Sequence, residues 1–438
     1  MSKYSTFIFK NYDFIQKDKM LSLTYGYDDS LTFVEQYRFD FPFADNIDDG
    51  LLDVAFQTLF FMAGVSYYKM YLAPRIVVSN GELDVSSANF FSKTYQRGLG
   101  ELFYKNNLSP TTNITFPVTD KSPSTPPTYI TDGKLIAIGG GKDSLVSVEV
   151  LREQNDVAVW SLGHRAQLAP LMEIINLPSL WVDRRLDPAI ATHNKEGAYN
   201  GHIPISAIFA AVGAVVAVLS GNRDVVVSNE SSASDPTLEY QGVQINHQYS
   251  KSLEFEEDFQ QYLAHRLGEN VHYYSLLRPF TELRIAEIYS HYFDKYNNVF
   301  SSCNRAFTQN SNTLFWCGHC AKCAFTFLIL TPFVSRSKLE TLWGKNLLLE
   351  PDLETTYRQL LGIEGDKPLD CVGEIKESRA AMRIAQKEYP ELDKYEFDLP
   401  EDYDYRRVSK NVMPPEIYKV LEAFTSKIGD TSQLNRHI

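Results

Sequence analysis

From Lys134 onward, short apolar runs alternate with longer segments whose apolar residues recur at helical spacing. Leu135–Ile138, Val157–Leu162, Leu180–Asp183 and Val225–Ser228 are short and apolar, which predicts buried strands. The segments near Ser144–Gln154, Ala166–Ile175 and Ile203–Ser220 predict the helices between them. Strands alternating with helices imply an α/β fold, a parallel sheet covered by helices on both faces. Upstream the pattern changes. Residues 1 to about 45 are rich in Tyr, Phe and Thr and partly alternate, as a small antiparallel β unit does. Asp49–Tyr71 reads as a helix with an acidic start, Arg75–Val78 as a short strand, and Ser86–Lys105 as a second helix begun by Ser86 and Ser87. Asn106–Asp132 is dense in Pro, Ser and Thr, the composition of a linker or extended loop. Downstream, Glu254–Leu267, Thr281–Ile288, Ala324–Val334, Leu353–Leu361 and Pro415–Lys427 read as helices. The chain therefore divides into an N-terminal α+β region (1–107), a linker (108–131), an α/β domain (132–335) and a mostly helical C-terminal region (336–438).

The sharpest local feature is Leu135–Leu151, L-I-A-I-G-G-G-K-D-S-L-V-S-V-E-V-L. A strand runs into Gly139, Gly140 and Gly141, and a helix opens at Lys142-Asp143-Ser144. Glycines let the backbone N–H groups approach a ligand, and a helix N-terminus adds unpaired donors and partial positive charge. Together they make a cradle for phosphate or pyrophosphate. Lys142 adds charge and Ser144 a hydroxyl. Asp143 either caps the helix or holds a Mg²⁺. Ligands of such sheets bind beyond the carboxyl ends of the strands, which puts Gly163-His164, Asp183–Arg185 and Asn229-Glu230 on the same rim and the nucleotide base near Ser161–His164.

Two more stretches carry chemistry. Asn246–Ser252 is dense in polar side chains; it is either a solvated entry to a capped helix or a substrate contact, with His247 and Lys251 as candidates for proton transfer. The run W-C-G-H-C-A-K-C puts Cys317, Cys320 and Cys323 on one knuckle, with Cys303 upstream as the natural fourth ligand and His319 in reserve. A structural Zn²⁺ is the leading reading, an iron–sulfur cluster and free core thiols the alternatives. Arg184, Arg185 and Arg278 are candidate clamps for carboxylate or diphosphate, or ordinary ion pairs. Cys371 is more readily a buried small hydrophobe than a reactive thiol.

Composition narrows the function. At 438 residues with 44% apolar and 22% charged residues the chain has room for a sizeable core. A net charge of −13 weighs against a broad nucleic-acid surface. Five cysteines in a chain this long are not a disulfide framework. The N-terminus has no signal-peptide pattern, and Ile203–Leu219 is better read as a buried sheet-covering helix than as a membrane span. A cytoplasmic protein acting on a small molecule, away from nucleic acid and membrane, is expected.

The glycine turn resembles the PP-loop of the ATP pyrophosphatase (N-type) superfamily, with Gly139 where that loop usually carries Ser. The resemblance implies a PP-loop (HUP-like) domain that splits ATP between the α and β phosphates and transfers AMP to a substrate oxygen. It also implies that Gly139, Gly140, Gly141 and Ser144 hold the pyrophosphate. G-G-G-K-D-S, S-N-E-S-S-A, N-H-Q-Y-S-K-S-L-E-F-E, C-N-R-A-F, W-C-G-H-C-A-K-C-A-F and C-V-G-E-I-K-E-S-R follow in that order between Gly139 and Arg379. In this the chain resembles the MurL family, over roughly Asp49 to Arg379. That resemblance implies an ATP-dependent epimerase acting on UDP-N-acetylmuramoyl-L-alanyl-L-glutamate in peptidoglycan precursor synthesis, through an acyl-adenylate. The alternatives are a nitrile- or amide-forming enzyme similar to 7-cyano-7-deazaguanine synthases, a tRNA-modifying enzyme, and a nucleotide-binding regulator without turnover.

Overall fold

Alternation along the strands decides which face of the sheet each side chain meets. The computed structural model describes residues 3–28, 30–119, 132–307, 311–400 and 402–431. Its strands are β1 (Thr6–Ile15), β2 (Met20–Tyr27), β3 (Leu31–Asp40), β4 (Arg75–Val78), β5 (Lys134–Ala137), β6 (Val157–Leu162), β7 (Ser179–Arg185), β8 (Asp224–Val227), the hairpin β9 (Leu238–Tyr240) and β10 (Val243–Ile245), and β11 (His272–Ser275). Apart from the hairpin they form a nine-stranded sheet in the order β11-β8-β5-β6-β7-β3-β2-β1-β4. The strands from β11 to β7 are parallel, and β7 pairs antiparallel with β3. The N-terminal β unit thus continues the sheet, with Gln36 opposite Arg185 and Asp40 opposite Trp181.

The N-terminal helices are α1 (Asp49–Ala63), α2 (Val65–Tyr68), α3 (Val85–Gly98) and α4 (Gly100–Lys105). The middle of the chain carries α5 (Lys142–Leu151), α6 (Arg165–Ile175), α7 (Ala189–Lys195), α8 (Ile205–Ser220), α9 (Leu253–Leu267), α10 (Glu282–Ser290), α11 (Phe293–Tyr296) and α12 (Ala321–Leu330). The C-terminal region adds α13 (Arg336–Trp343), α14 (Glu354–Leu360), α15 (Ile375–Gln386) and α16 (Pro415–Thr431). Leu135, Trp160, Val182 and Val225 meet α1, α3, α8 and α9 on one face of the sheet. Their strand neighbours Ile136, Val159, Trp181 and Val226 meet α5, α6, α10 and α12 on the other. Each such side chain fully removed from water contributes about 1.5–3 kcal/mol, so a slip by one residue is strongly disfavoured.

The helix expected over Asp49–Tyr71 is broken at Gly64, where a Cβ would stand 2.4 Å from Phe9 Cε1. Tyrosine hydroxyls bond the carbonyls next to that break: Tyr95 donates to Phe61 O at 2.6 Å, and Tyr25 donates at 2.8 Å to Phe60 O, which also accepts from Gly64 N at 3.4 Å. Asp49–Tyr68 is long and apolar enough to cross a membrane by composition, but 83% of its most apolar 18-residue window is buried within the protein. The helix expected over Ser86–Lys105 is also two helices, and its cap is Asp84, which accepts from Ser87 N at 2.8 Å, rather than Ser86 or Ser87. Of the stretch expected as a linker, residues 120–131 lie outside the described residues. Its first half packs onto the N-terminal helices through buried Ile114 and Phe116.

Candidate active site

The strand order reverses at β5, which has β8 on one side and β6 on the other. Such a switch point opens a crevice at the strand ends. The glycine turn lies there. Gly140 has φ +87°, and a Cβ on it would meet Phe307 Cζ at 2.9 Å and Leu168 Cδ2 at 3.0 Å. A Cβ on Gly139 would point into open space. Helix α5 starts at Lys142 with no side chain capping it among the described residues. Its first N–H groups are left for a ligand, the arrangement that binds anions. Ser144 Oγ donates back to Gly141 O at 3.0 Å, so Ser144 is part of the turn itself. Beside the turn is an apolar cavity of about 260 Å³ lined by Ile138, Gly139, Ser161, His164, Phe209 and Phe307. Ser161 and His164 therefore stand where the strand pattern put the nucleotide base.

Lys142 does not project into the crevice. It is 5% exposed, and its Nζ donates to both Asp143 and Glu282. Burial pushes the Glu282 carboxyl up to about 7, with Lys142 pulling against it and Asp143 and Glu230 adding to it. Glu377 lies close by, since a Cβ on Gly373 would meet both Glu377 Oε2 and Glu282 Cβ. Neither Glu377 oxygen has a hydrogen-bond partner among the described residues, and burial pushes this carboxyl well above its ordinary range. Asp143, Glu230, Glu282 and Glu377 thus form a group of acids from four separate segments, of which Lys142 bonds Asp143 and Glu282. Glu282 and Glu377 escaped the sequence reading because an acid in the first turn of a helix is ordinary.

Lys251, by contrast, pairs with Cys371, a thiol that is half-buried rather than a core hydrophobe. Its Nζ donates to Cys371 Sγ at 3.3 Å. The Cys371 charge, helped by Glu230 and Asp143, holds the Lys251 pKa above its ordinary value against burial. Asp143 is close enough to contribute, which ties the pair to the glycine turn. Arg278 is 1% exposed and is not a ligand clamp. It pairs with Glu256 at 2.9 Å and donates to the carbonyls of Glu230 and Lys251, fixing both backbones. Arg184 is taken up by Glu35 at 2.7 Å and Ser66 at 2.8 Å, while Arg185 is exposed. His247 is not hydrogen-bonded to the Lys251–Cys371 pair. Its Nδ1 lies 3.5 Å from Glu101 Oε2, and burial, with nearby His202 and lysines, pushes its pKa down to about 3.

Cys303, Cys317, Cys320 and Cys323 converge with all four sulfurs within 4.8 Å of one another. Their S···S separations of 3.9, 3.7 and 3.6 Å are far from a disulfide and near the roughly 3.8 Å edge of a tetrahedron with 2.3 Å metal–sulfur bonds. Hydrogen bonds from Cys320 and Cys323 pull the Cys303 thiol down to about 3, and the same contact pushes Cys323 up. His319 is exposed and outside the cluster, but its backbone N–H donates to Cys317 Sγ at 3.5 Å. The cluster can bind a metal ion.

The model of the MurL N-terminal domain matches residues 1–276, and that of the MurL C-terminal domain matches residues 299–395. A protein of Xanthomonas oryzae pv. oryzae named UDP-N-acetyl-alpha-D-muramoyl-L-alanyl-L-glutamate epimerase is 37% identical over 87% of this chain and 85% of its own length. Proteins of the same name from Salinispora tropica and a Micromonospora species are 38% and 39% identical, over 82% and 75% of this chain and 79% and 74% of their own lengths. No solved structure matches.

Proposed function

The chain belongs to the MurL family, and from that premise we propose that it is an epimerase inverting the L-glutamate end of UDP-N-acetylmuramoyl-L-alanyl-L-glutamate, with ATP as co-substrate. The observation that carries the ATP-dependent form is an uncapped helix N-terminus after three glycines, with a part-buried lysine–thiol pair within electrostatic reach of its first turn. In this reading the glycine turn is a PP-loop. The triphosphate lies on Gly139–Gly141 and the first N–H groups of α5, with Ser144 bracing the turn. The base lies in the Ser161–His164 cavity, and Asp143, part-exposed beside the turn, would hold Mg²⁺.

The chemistry follows from charge. The glutamate α-carbon sits beside an anionic carboxylate, so removing its proton would put a second negative charge on the same small group. Attack of that carboxylate on the ATP α-phosphorus expels pyrophosphate and removes the first charge. The α C–H bond then breaks toward Cys371, whose thiolate takes the proton while the electron pair spreads into the enolate. The Lys251 ammonium, hydrogen-bonded to that sulfur and so on the same side, stabilises the charge, and the opposite face takes its proton from solvent water, leaving hydroxide. Water cleaves the mixed anhydride, releasing AMP and restoring the carboxylate. The Cys371 thiol gives its proton to that hydroxide, which resets the pair. His247 takes no part in these steps. The four cysteines would hold a structural Zn²⁺ that pins α12 beneath the crevice. Free thiols fit a reducing compartment, and we place the protein in the cytoplasm.

The test is incubation with ATP and the L-glutamate-terminated nucleotide in deuterated water. AMP and pyrophosphate should appear together with solvent deuterium at the glutamate α-carbon. Exchange at full rate without ATP, or AMP without deuterium, would overturn the mechanism.

A further inference from the structure

Away from the thiols, three segments bring Glu101, His202 and His247 together. Glu101 is on α4, His202 in the loop before α8, and His247 in the turn after β10. One ligand atom from each lies within 4.8 Å of the other two. Glu101 Oε2 is 3.5 Å from the Nδ1 atoms of both histidines. Neither contact is a hydrogen bond: Glu101 Oε2 and both ring nitrogens of His247 have no partner among the described residues. The side chains concerned are 5% and 6% exposed, so water does not satisfy them from outside. Two unpaired electron-pair donors in a buried site, with the 27%-exposed His202 imidazole set against the same carboxylate oxygen, are unfavourable unless something accepts from them.

The spacing says what that acceptor is. Ligands at 2.0–2.1 Å in a tetrahedron stand about 3.4 Å apart, close to the separation seen and longer than a good hydrogen bond. The other Glu101 oxygen, Oε1, accepts from Lys105 at 2.5 Å, which orients the carboxylate so that Oε2 faces the histidines. An outer-shell partner of this kind accompanies metal-bound carboxylates. Two imidazoles and one carboxylate suit a borderline divalent cation rather than Mg²⁺ or Ca²⁺. We propose that Glu101, His202 and His247 form a second metal site, for a zinc-class divalent ion, separate from the four cysteines. Three protein ligands leave the fourth tetrahedral position to water or a substrate oxygen. His247 is then a ligand. It shares the Asn246–Ser252 turn with Lys251, so the ion would fix the turn that carries the lysine of the proposed pair.

The test uses the full-length protein stripped by chelator and titrated with zinc chloride against a chromogenic competitor. Wild type should bind one ion more than His202→Ala, or bind that ion more than about 100-fold tighter. The Cys317→Ser/Cys320→Ser protein should keep the ion that His202→Ala loses. Equal stoichiometry and affinity in folded wild type and His202→Ala would sink the site. X-ray absorption on zinc-saturated wild type guards against variants that do not fold. A shell of sulfur together with imidazole nitrogen and oxygen supports the site, and sulfur alone refutes it.

Discussion

The glycine turn and the Lys251–Cys371 pair, to which the proposed reaction gives its two halves, are built in opposite ways. The turn is one uninterrupted stretch in which strand, glycines and helix start follow from neighbouring residues. The pair joins residues 120 positions apart, one in a short turn before α9 and the other just before α15. Gripping a phosphate tail needs a row of N–H groups, which a short segment supplies. Taking a proton from carbon needs a base with a cation packed against it, and here the two come from distant parts of the chain. The four-cysteine cluster falls between, with three ligands on one knuckle and Cys303 brought in from upstream.

The strongest way to break this division of labour is to remove the pair. Lys251→Met and Cys371→Ala should each lower epimerisation about 10²–10⁴-fold while pyrophosphate release persists. Comparing α-deuterium incorporation with pyrophosphate release reads this directly, and parallel loss of both would return the pair to a binding role. Cys323→Ser should cost more than about 3 kcal/mol of stability by opening the metal cluster, against about 0.5 kcal/mol or less for exposed His319→Ala. Denaturant midpoints and bound metal decide it. At the turn, Gly140→Ala meets a positive φ and a crowded site and should weaken ATP at least about tenfold. Gly139→Ala sharpens the point. Its Cβ meets nothing in the protein, so a raised KM for ATP at unchanged stability would mean that a ligand fills that space.

The smallest effect is one of pH. The folded Glu282 carboxyl titrates at about 7, above its ordinary 4.5, so the folded state holds a proton that the unfolded chain has lost. Stability should therefore fall as pH rises from about 4.5 to about 7, and Glu282→Gln should flatten that slope. Denaturant midpoints across this window measure it. An unchanged slope would mean that Lys142 keeps Glu282 ionised throughout.

Local pattern alone determined four of the parallel strands, three of the helices between them, the glycine turn and the cysteine set, because period and spacing are properties of neighbouring residues. It did not reveal β11, whose H-Y-Y-S lacks an apolar run, or that β3 would extend the sheet by pairing with β7. Nor did it reveal that Lys142 would be consumed by Glu282, Arg278 by Glu256 and Arg184 by Glu35. Those pairings, with Lys251 on Cys371 and His247 beside Glu101, were decided by tertiary structure. A charged side chain takes whatever partner packing places within reach once water is gone, and no residue type announces that partner in advance.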